Sequence, residues 1–184
     1  MSKSTLNKTQ NNVLLTNLKK FYSCDDNLPK MLSIINGESS ISLRIVDWFS
    51  TNYSKKNFTL YILKNGTRFK VYNDYKLKLR AYSKKRFDPF CRWDRITIPY
   101  KEDTYIQTTI GQLNFFRWAL ENKILDCIEK NLTKINNDMN NRNSTAKNRK
   151  DKKTIKTRKK REELSISASK SIKKEQVEII VDFK

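Results

Sequence analysis

Residues 108–128 read T-T-I-G-Q-L-N-F-F-R-W-A-L-E-N-K-I-L-D-C-I. Leu113, Phe116, Leu120, Ile124 and Ile128 recur every three or four positions, and Phe115, Trp118, Ala119 and Leu125 widen that stripe until the segment is apolar nearly all round. A helix without a polar face belongs inside a core, so the rest of the chain is expected to pack around it. Thr108 or Thr109 supplies the N-cap and the pattern runs on to Ile135, which predicts one long helix over about 109–135. Gly111, at its start, reads as a point of close packing rather than of phosphate approach.

Upstream, F-T-L-Y-I-L-K-N-G-T-R-F-K-V-Y places two aromatic and β-branched runs around Asn65-Gly66, the pair suited to a type I′ turn. Phe58–Lys64 and Thr67–Tyr72 are therefore expected to pair as antiparallel strands. Ile41, Ile45, Trp48 and Phe49 define a helix over 41–53 capped by Ser39 or Ser40, and Val13, Leu14, Leu18 and Phe21 define another over 11–22. Pro29 and Gly37 bracket an apolar segment that fits a single helical turn or an extended stretch. Over 75–82 the K-L-K-L-R pattern fits both a helix and a strand. Two short strands, Arg95–Tyr100 and Thr104–Thr108, follow, with Pro99 pushing the first to a sheet edge.

The fold class is thus α+β, a small antiparallel sheet packed on two or three helices. The expected organisation is a disordered 1–10, an α+β core over 11–136, a basic flexible linker or exposed helix over 137–175, and a closing strand over 176–184. That strand is carried by the alternation of Val177, Ile179, Val181 and Phe183, and it would return to an edge of the hairpin sheet.

Charge bounds the partners. The 184 residues carry 39 Lys+Arg against 19 Asp+Glu, a net charge of +20, a field that draws polyanions. Nucleic acid, held through its phosphates, is the leading partner class; acidic protein partners are the alternative. No stretch approaches the roughly 20 apolar residues of a membrane span, and M-S-K-S-T-L-N-K lacks the apolar run of a signal peptide, so a soluble, unsecreted protein is expected. Cys24, Cys91 and Cys127 are too dispersed for metal-ligand spacing and suit reduced thiols.

The sequence has no His, which removes Ser-His and Cys-His nucleophiles and the ordinary general base near neutral pH. It has no Gly-rich phosphate loop either. Asp47, Asp88, Asp94, Glu121 and Asp126 have no spacing that specifies a Mg²⁺ site, and most are better employed pairing with surplus cations. A non-enzymatic protein with no cofactor and no metal is expected, a carboxylate-dependent nucleic-acid enzyme being the third reading.

Two stretches carry the candidate phosphate contacts. Residues 142–161 hold eleven Lys/Arg against one acid, Asp151; Lys147, Arg149, Lys150, Lys152, Lys153, Lys156, Arg158, Lys159, Lys160 and Arg161 are the candidates there. In S-K-K-R-F-D-P-F-C-R-W-D-R-I-T-I, residues 83–98, the cations Lys84, Lys85, Arg86, Arg92 and Arg95 interleave with Phe87, Phe90 and Trp93. Such mixing suits single-stranded nucleic acid. It equally suits a structural junction around Pro89, with Arg92 and Arg95 pairing with Asp88 and Asp94. Arg44, Arg80 and Arg117 join Arg86, Arg92 and Arg95 as the arginines to test first.

Three segments, S-I-S-L-R-I-V-D-W-F-S-T-N-Y-S-K-K (40–56), F-D-P-F-C-R-W-D-R-I (87–96) and T-T-I-G-Q-L-N-F-F-R-W-A-L-E-N (108–122), together resemble an uncharacterised protein family of nucleocytoplasmic large DNA viruses, the giant viruses. The resemblance covers most of the chain from about Leu28 onward. It implies a viral source and the virion or the cytoplasmic viral factory as compartment, without implying catalysis; the Lys147–Arg161 run, read as a nuclear-import address, adds the host nucleus as a third. The function expected is binding of viral DNA in genome packaging, condensation or late transcription.

Overall fold

A computed structural model describes residues 3–24, 26–100, 104–151 and 174–176. The helices are α1 (Lys3–Tyr22), α2 (Asn27–Asn36), α3 (Leu43–Trp48), α4 (Ser54–Lys56), α5 (Val71–Arg86), α6 (Ile110–Glu121), α7 (Ile124–Lys130) and α8 (Leu132–Asp151). The strands are β1 (Leu60–Ile62), β2 (Arg68–Lys70), β3 (Arg95–Pro99), β4 (Thr104–Thr109) and β5 (Lys174–Gln176). The fold is α+β.

Helix α6 is the centre. Gly111 to Phe116, Trp118 and Ala119 are all buried, so the all-round apolarity of the sequence is matched by all-round packing. Thr109 is the N-cap: its Oγ1 accepts from the Gln112 backbone N–H at 3.1 Å. The expected long helix is nevertheless three helices. α6 stops at Asn122, whose Nδ2 donates to the Trp118 carbonyl at 2.8 Å and whose own carbonyl accepts from the Tyr61 hydroxyl at 2.6 Å. Lys123 then turns left-handed, φ 56°. At the next break Asn131 Nδ2 donates to the Cys127 carbonyl at 3.0 Å. Asparagine amides that bond the preceding turn compete with helical hydrogen bonds and favour helix ends. The apolar stripe survives the breaks, because Ile124, Ile128 and Ile135 all still reach the core.

Residues 83–94 form the clamp on α6. A kink at Ser83, φ 61° and ψ 167°, redirects the end of α5. Phe87 then enters the core among Tyr75, Tyr82, Phe115 and Trp118, at ring-centroid distances of 5.3 to 6.3 Å. The Asp88 backbone N–H donates to the Gly111 carbonyl at 3.1 Å. Two buried amides of α6 complete the seam: Gln112 Nε2 donates to the Pro89 carbonyl and Asn114 Nδ2 to the Arg86 carbonyl, each at 2.9 Å. Thr108 Oγ1 in turn donates to Gln112 Oε1 at 2.9 Å, leaving that side chain fully engaged.

The sheet is two sheets. β1 pairs with β2 alone, while β3, β4 and β5 form a separate three-stranded antiparallel sheet. β3 with Pro99 is an edge strand, as expected from the missing N–H of proline. β5 pairs with β4, Thr104 opposite Gln176; beyond Gln176 the expected closing strand over 176–184 lies outside the described residues. The hairpin turn also differs from the two-residue form. Gly66 N–H donates to the Leu63 carbonyl at 2.9 Å and Leu63 N–H to the Thr67 carbonyl at 3.0 Å. Only Gly66 takes a positive φ, 78°, giving a three-residue loop over Lys64–Gly66.

Around this centre, α1 begins at Lys3, ahead of the helix expected from 11, and the buried Tyr22 hydroxyl donates to the Leu113 carbonyl at 2.7 Å. α2 is a full helix ended by Gly37 at φ 75°, with Met31, Leu32, Ile34 and Ile35 buried. α3 is capped by Ser42, two residues after Ser40 and three after Ser39, the expected caps, and passes into a π-helical turn over Phe49–Tyr53. The hydroxyls of Ser50, Thr51 and Ser54 each donate to the carbonyl four residues back, at 2.9, 2.7 and 3.0 Å, and such back-bonding accompanies widened or bent helices. α8 is anchored by buried Ile135 and Met139 and by Asp138, which accepts from Trp48 Nε1 at 3.0 Å and Lys56 Nζ at 2.8 Å.

A Cβ at position 111 would stand 3.0 Å from the Lys85 carbonyl oxygen and 3.4 Å from the backbone nitrogens of Phe87 and Asp88. These are backbone atoms that cannot rotate away. Gly111→Ala is expected to destabilise by about 1–3 kcal/mol through overpacking, lowering Tm by roughly 3–10 °C in a thermal melt.

Candidate nucleic-acid interface

Between Ser54 and Phe87 the sequence holds eleven Lys/Arg and a single carboxylate, Asp74. The fold engages even that one: Asp74, half-buried, accepts at Oδ1 from Trp118 Nε1 at 2.6 Å. Some of the cations are also engaged: Lys56 by Asp138, Lys85 by Asp94 at 3.2 Å, and Arg86 by Asn11 Oδ1 at 2.7 Å and Gln10 Oε1 at 3.0 Å. Lys55, Lys64, Arg68, Lys70, Lys76 and Arg80 are exposed.

Helical spacing gathers part of this set. Asn73, Lys76, Leu77 and Arg80 lie at i, i+3, i+4 and i+7 on α5 and share one face. With Tyr72 and Leu79 they line an open groove of about 730 Å³. A second groove of about 590 Å³ adjoins it through Tyr72 and Asn73, and is walled by Lys55, Phe58, Leu60 and Lys70. The Tyr72 ring stands between the two, with Lys55 Nζ 5.6 Å and Lys76 Nζ 5.9 Å from its centroid. On the outward face of the hairpin, cross-strand pairing sets Leu60 against Lys70 and Ile62 against Arg68. Apolar and cationic side chains thus alternate over one continuous surface.

The candidates expected from residues 83–98 divide. Arg92 is committed to Asp88, its Nε 3.0 Å from Oδ2 and its Nη2 2.5 Å from Oδ1, and its guanidinium also covers the Phe90 ring at 5.2 Å. Hydrogen bonds to Asp88 push the Arg92 pKa up. Arg95 meets Gln107 Oε1 at 3.4 Å, so the expected pair with Asp94 is not made; Lys85 takes Asp94 instead. Lys84 is exposed, just beyond the Ser83 kink. Phe87 is core, Phe90 is half-buried and Trp93 is exposed. Arg117 pairs with Glu121 at 2.8 Å and covers Phe21, Arg44 is exposed on α3, and Arg80 belongs to the basic face.

Of the downstream candidates, Lys147, Arg149 and Lys150 fall on the backbone of α8. Lys152, Lys153, Lys156, Arg158, Lys159, Lys160 and Arg161 lie outside the described residues. The ordered basic face around Tyr72 was overlooked in the sequence because its cations are spread through a hairpin and a helix. The cue was their ratio to acids over 54–87, the same eleven to one that marks 142–161.

The carboxylates do not assemble a metal centre. Among the described residues no three of His, Cys, Asp and Glu come together. Cys24, Cys91 and Cys127 are not joined in disulfides, and burial pushes Cys127 up. Burial also raises Tyr22 and Tyr61, and raises Tyr75 to about 12, with Asp47 and Asp88 adding to the last. Asp138 is held below its ordinary value by its hydrogen bond from Lys56, with Trp48 helping.

With this geometry the relatives can be placed. Over residues 2–184 the sequence matches a family described as "Family of unknown function (DUF7197)". The chain belongs to that family. It is also 48% identical over 145 residues to "Uncharacterized protein L507" of Acanthamoeba polyphaga mimivirus, an alignment spanning 74% of this chain. The chain covers 55% of that relative's length, about half of it. A giant-virus relative agrees with the source implied by the three sequence segments. No solved structure matches. Among the described residues no helix is long and apolar enough to cross a membrane.

Asp47, close enough to Asp88 and Arg92 to feel their charges, makes the fold sensitive to pH. Burial, then the nearby Asp88 charge, raise its pKa from 3.8 to about 6, against the opposing pull of Arg92. The folded state therefore binds an extra proton between about pH 4 and 6, and stability falls as pH rises through that window. Asp47→Asn is expected to add on the order of 2 kcal/mol at pH 7.5 and to match the parent near pH 4, read from melts across pH.

Proposed function

We propose that this chain is a non-enzymatic viral nucleic-acid-binding protein, DNA being the first candidate, that grips phosphates electrostatically. The observation that carries the reading is the ordered cationic face of α5 and the hairpin. Lys70, Lys76 and Arg80, with Lys55, supply exposed positive charge, and the one carboxylate among them, Asp74, is bonded to Trp118. Phosphate contacts of this kind release counterions and are insensitive to base sequence. The run from Lys147 to Arg161 adds a second set of cations, beginning on α8, whose root is tied to α3 through Asp138 and Trp48.

Such a protein would serve genome packaging, condensation or late transcription, in the viral factory or within the virion. The alternative partner, an acidic virion protein, uses the same charge and is separated from nucleic acid by the binding assay.

The test is salt-titrated binding of the full chain to fluorescent oligonucleotides, with heparin as competitor. Binding is expected at about 50 mM salt and should fall steeply as salt rises. The triple variant Lys70→Ala, Lys76→Ala, Arg80→Ala should weaken it about tenfold or more, reduce the slope of log K against log salt by about 2 to 3, and leave Tm nearly unchanged. Absence of binding at low salt would sink the proposal.

A further inference from the structure

Phe58 occupies a position that is costly in two separate ways. After a last helical bond from the Asn57 N–H to the Tyr53 carbonyl at 2.9 Å, α4 closes with the 6→1 bond of a Schellman-type ending, the Thr59 N–H donating to the Ser54 carbonyl at 3.1 Å. The residue enclosed by that pattern must turn left-handed, which glycine does freely and a phenylalanine does against its own Cβ. Here it is Phe58, at φ 47°. Its ring meanwhile is 88% exposed, the most exposed large apolar side chain among the described residues. Neither local conformation nor core packing accounts for a phenylalanine at this point.

Its surroundings supply an account. Phe58 walls the groove that also holds Lys55, Lys70 and Tyr72, and Tyr72 is the ring shared with the neighbouring groove of Lys76 and Arg80. Two rings thus stand within one cationic channel, and the ammonium groups now against Tyr72 sit on flexible exposed stems free to move to an anion. Exposed rings spaced among cations are the means by which single strands are held: unpaired bases present π-faces to the rings while the backbone follows the positive charge. A duplex keeps its bases stacked on one another, so their π-faces are closed to a protein ring and a ring-lined channel gains nothing from them.

We propose that the channel between Phe58 and Arg80 is a binding site for single-stranded nucleic acid, with bases stacking on Phe58 and Tyr72 and phosphates on Lys55, Lys70, Lys76 and Arg80. This rests on the nucleic-acid reading above and names its substrate class. The choice of Phe at position 58 then has a reason, since glycine there would relax the turn but remove the ring.

The deciding measurement is fluorescence anisotropy of the full chain at about 100 mM salt with a 12-mer of thymidine, a 12-mer of uridine, an abasic 12-mer and a 12-base-pair duplex. The intact chain should bind one or both base-bearing single strands about tenfold more tightly than the abasic strand or the duplex. Phe58→Gly should lower the ratio of single-strand to duplex affinity about tenfold while Tm holds or rises, and Tyr72→Leu should lower the same ratio. Equal affinity for all four probes, or a ratio unmoved in Phe58→Gly, overturns this inference and leaves the phosphate-binding reading standing. Failure of every probe to bind even at about 50 mM salt overturns both.

Discussion

Everything in this fold depends on how closely residues 85–88 approach the first turn of α6. Gly111 lets the Lys85 carbonyl and the Phe87 and Asp88 nitrogens come so close that a side chain there would crowd them, the Lys85 oxygen most of all. The approach is then fixed by polar groups in a dry place: the Asp88 N–H on the Gly111 carbonyl, and the amides of Gln112 and Asn114 on the carbonyls of Pro89 and Arg86. Buried amides are costly unless satisfied, and among the described residues no buried side-chain nitrogen or oxygen lacks a partner. The seam therefore specifies one register between the two halves of the chain. Phe87 could not otherwise stand among Tyr75, Phe115 and Trp118, and α5 would have no fixed direction in which to present its cations.

The same seam explains which parts of the fold were legible in the sequence. Periodicity reports burial, so the core position of α6 and the helix beginning near Leu43 were visible. The role of Gly111 in close packing was visible too, because a glycine in the first turn of an otherwise fully apolar helix has few other uses. Periodicity does not report continuity. Ile124, Ile128 and Ile135 keep the stripe across two breaks made by Asn122, Lys123 and Asn131, none of which is a proline or glycine. The hairpin was visible from Asn65-Gly66, yet whether the turn holds two residues or three depends on the register of Leu63 against Thr67. That β5 pairs with β4 is a question of long-range pairing that alternation within one segment does not answer.

The candidate surface was legible only in part, for a related reason. Interleaved rings and cations in residues 83–98 pointed to a binding stretch, but Arg92 is spent on Asp88 and Phe87 on the core. The stretch acts as the junction that the same residues equally allowed. The basic face that the fold exposes is assembled from Lys55, Lys70, Lys76 and Arg80, residues that no single window joins. Only the scarcity of acids over 54–87 announces it. Arg80 alone of the arginines singled out in the sequence belongs to it.

The three indoles of this chain sit in three different electrical and solvent environments. Trp118 donates to Asp74 directly beneath the cationic face, Trp48 donates to Asp138 at the root of α8, and Trp93 is open to water on the junction. A buried indole bonded to a carboxylate and an exposed one emit at different wavelengths and respond to different quenchers. The molecule thereby contains its own optical probes, one behind the surface of α5, one at the base of the basic helix, and one on the seam that joins its halves.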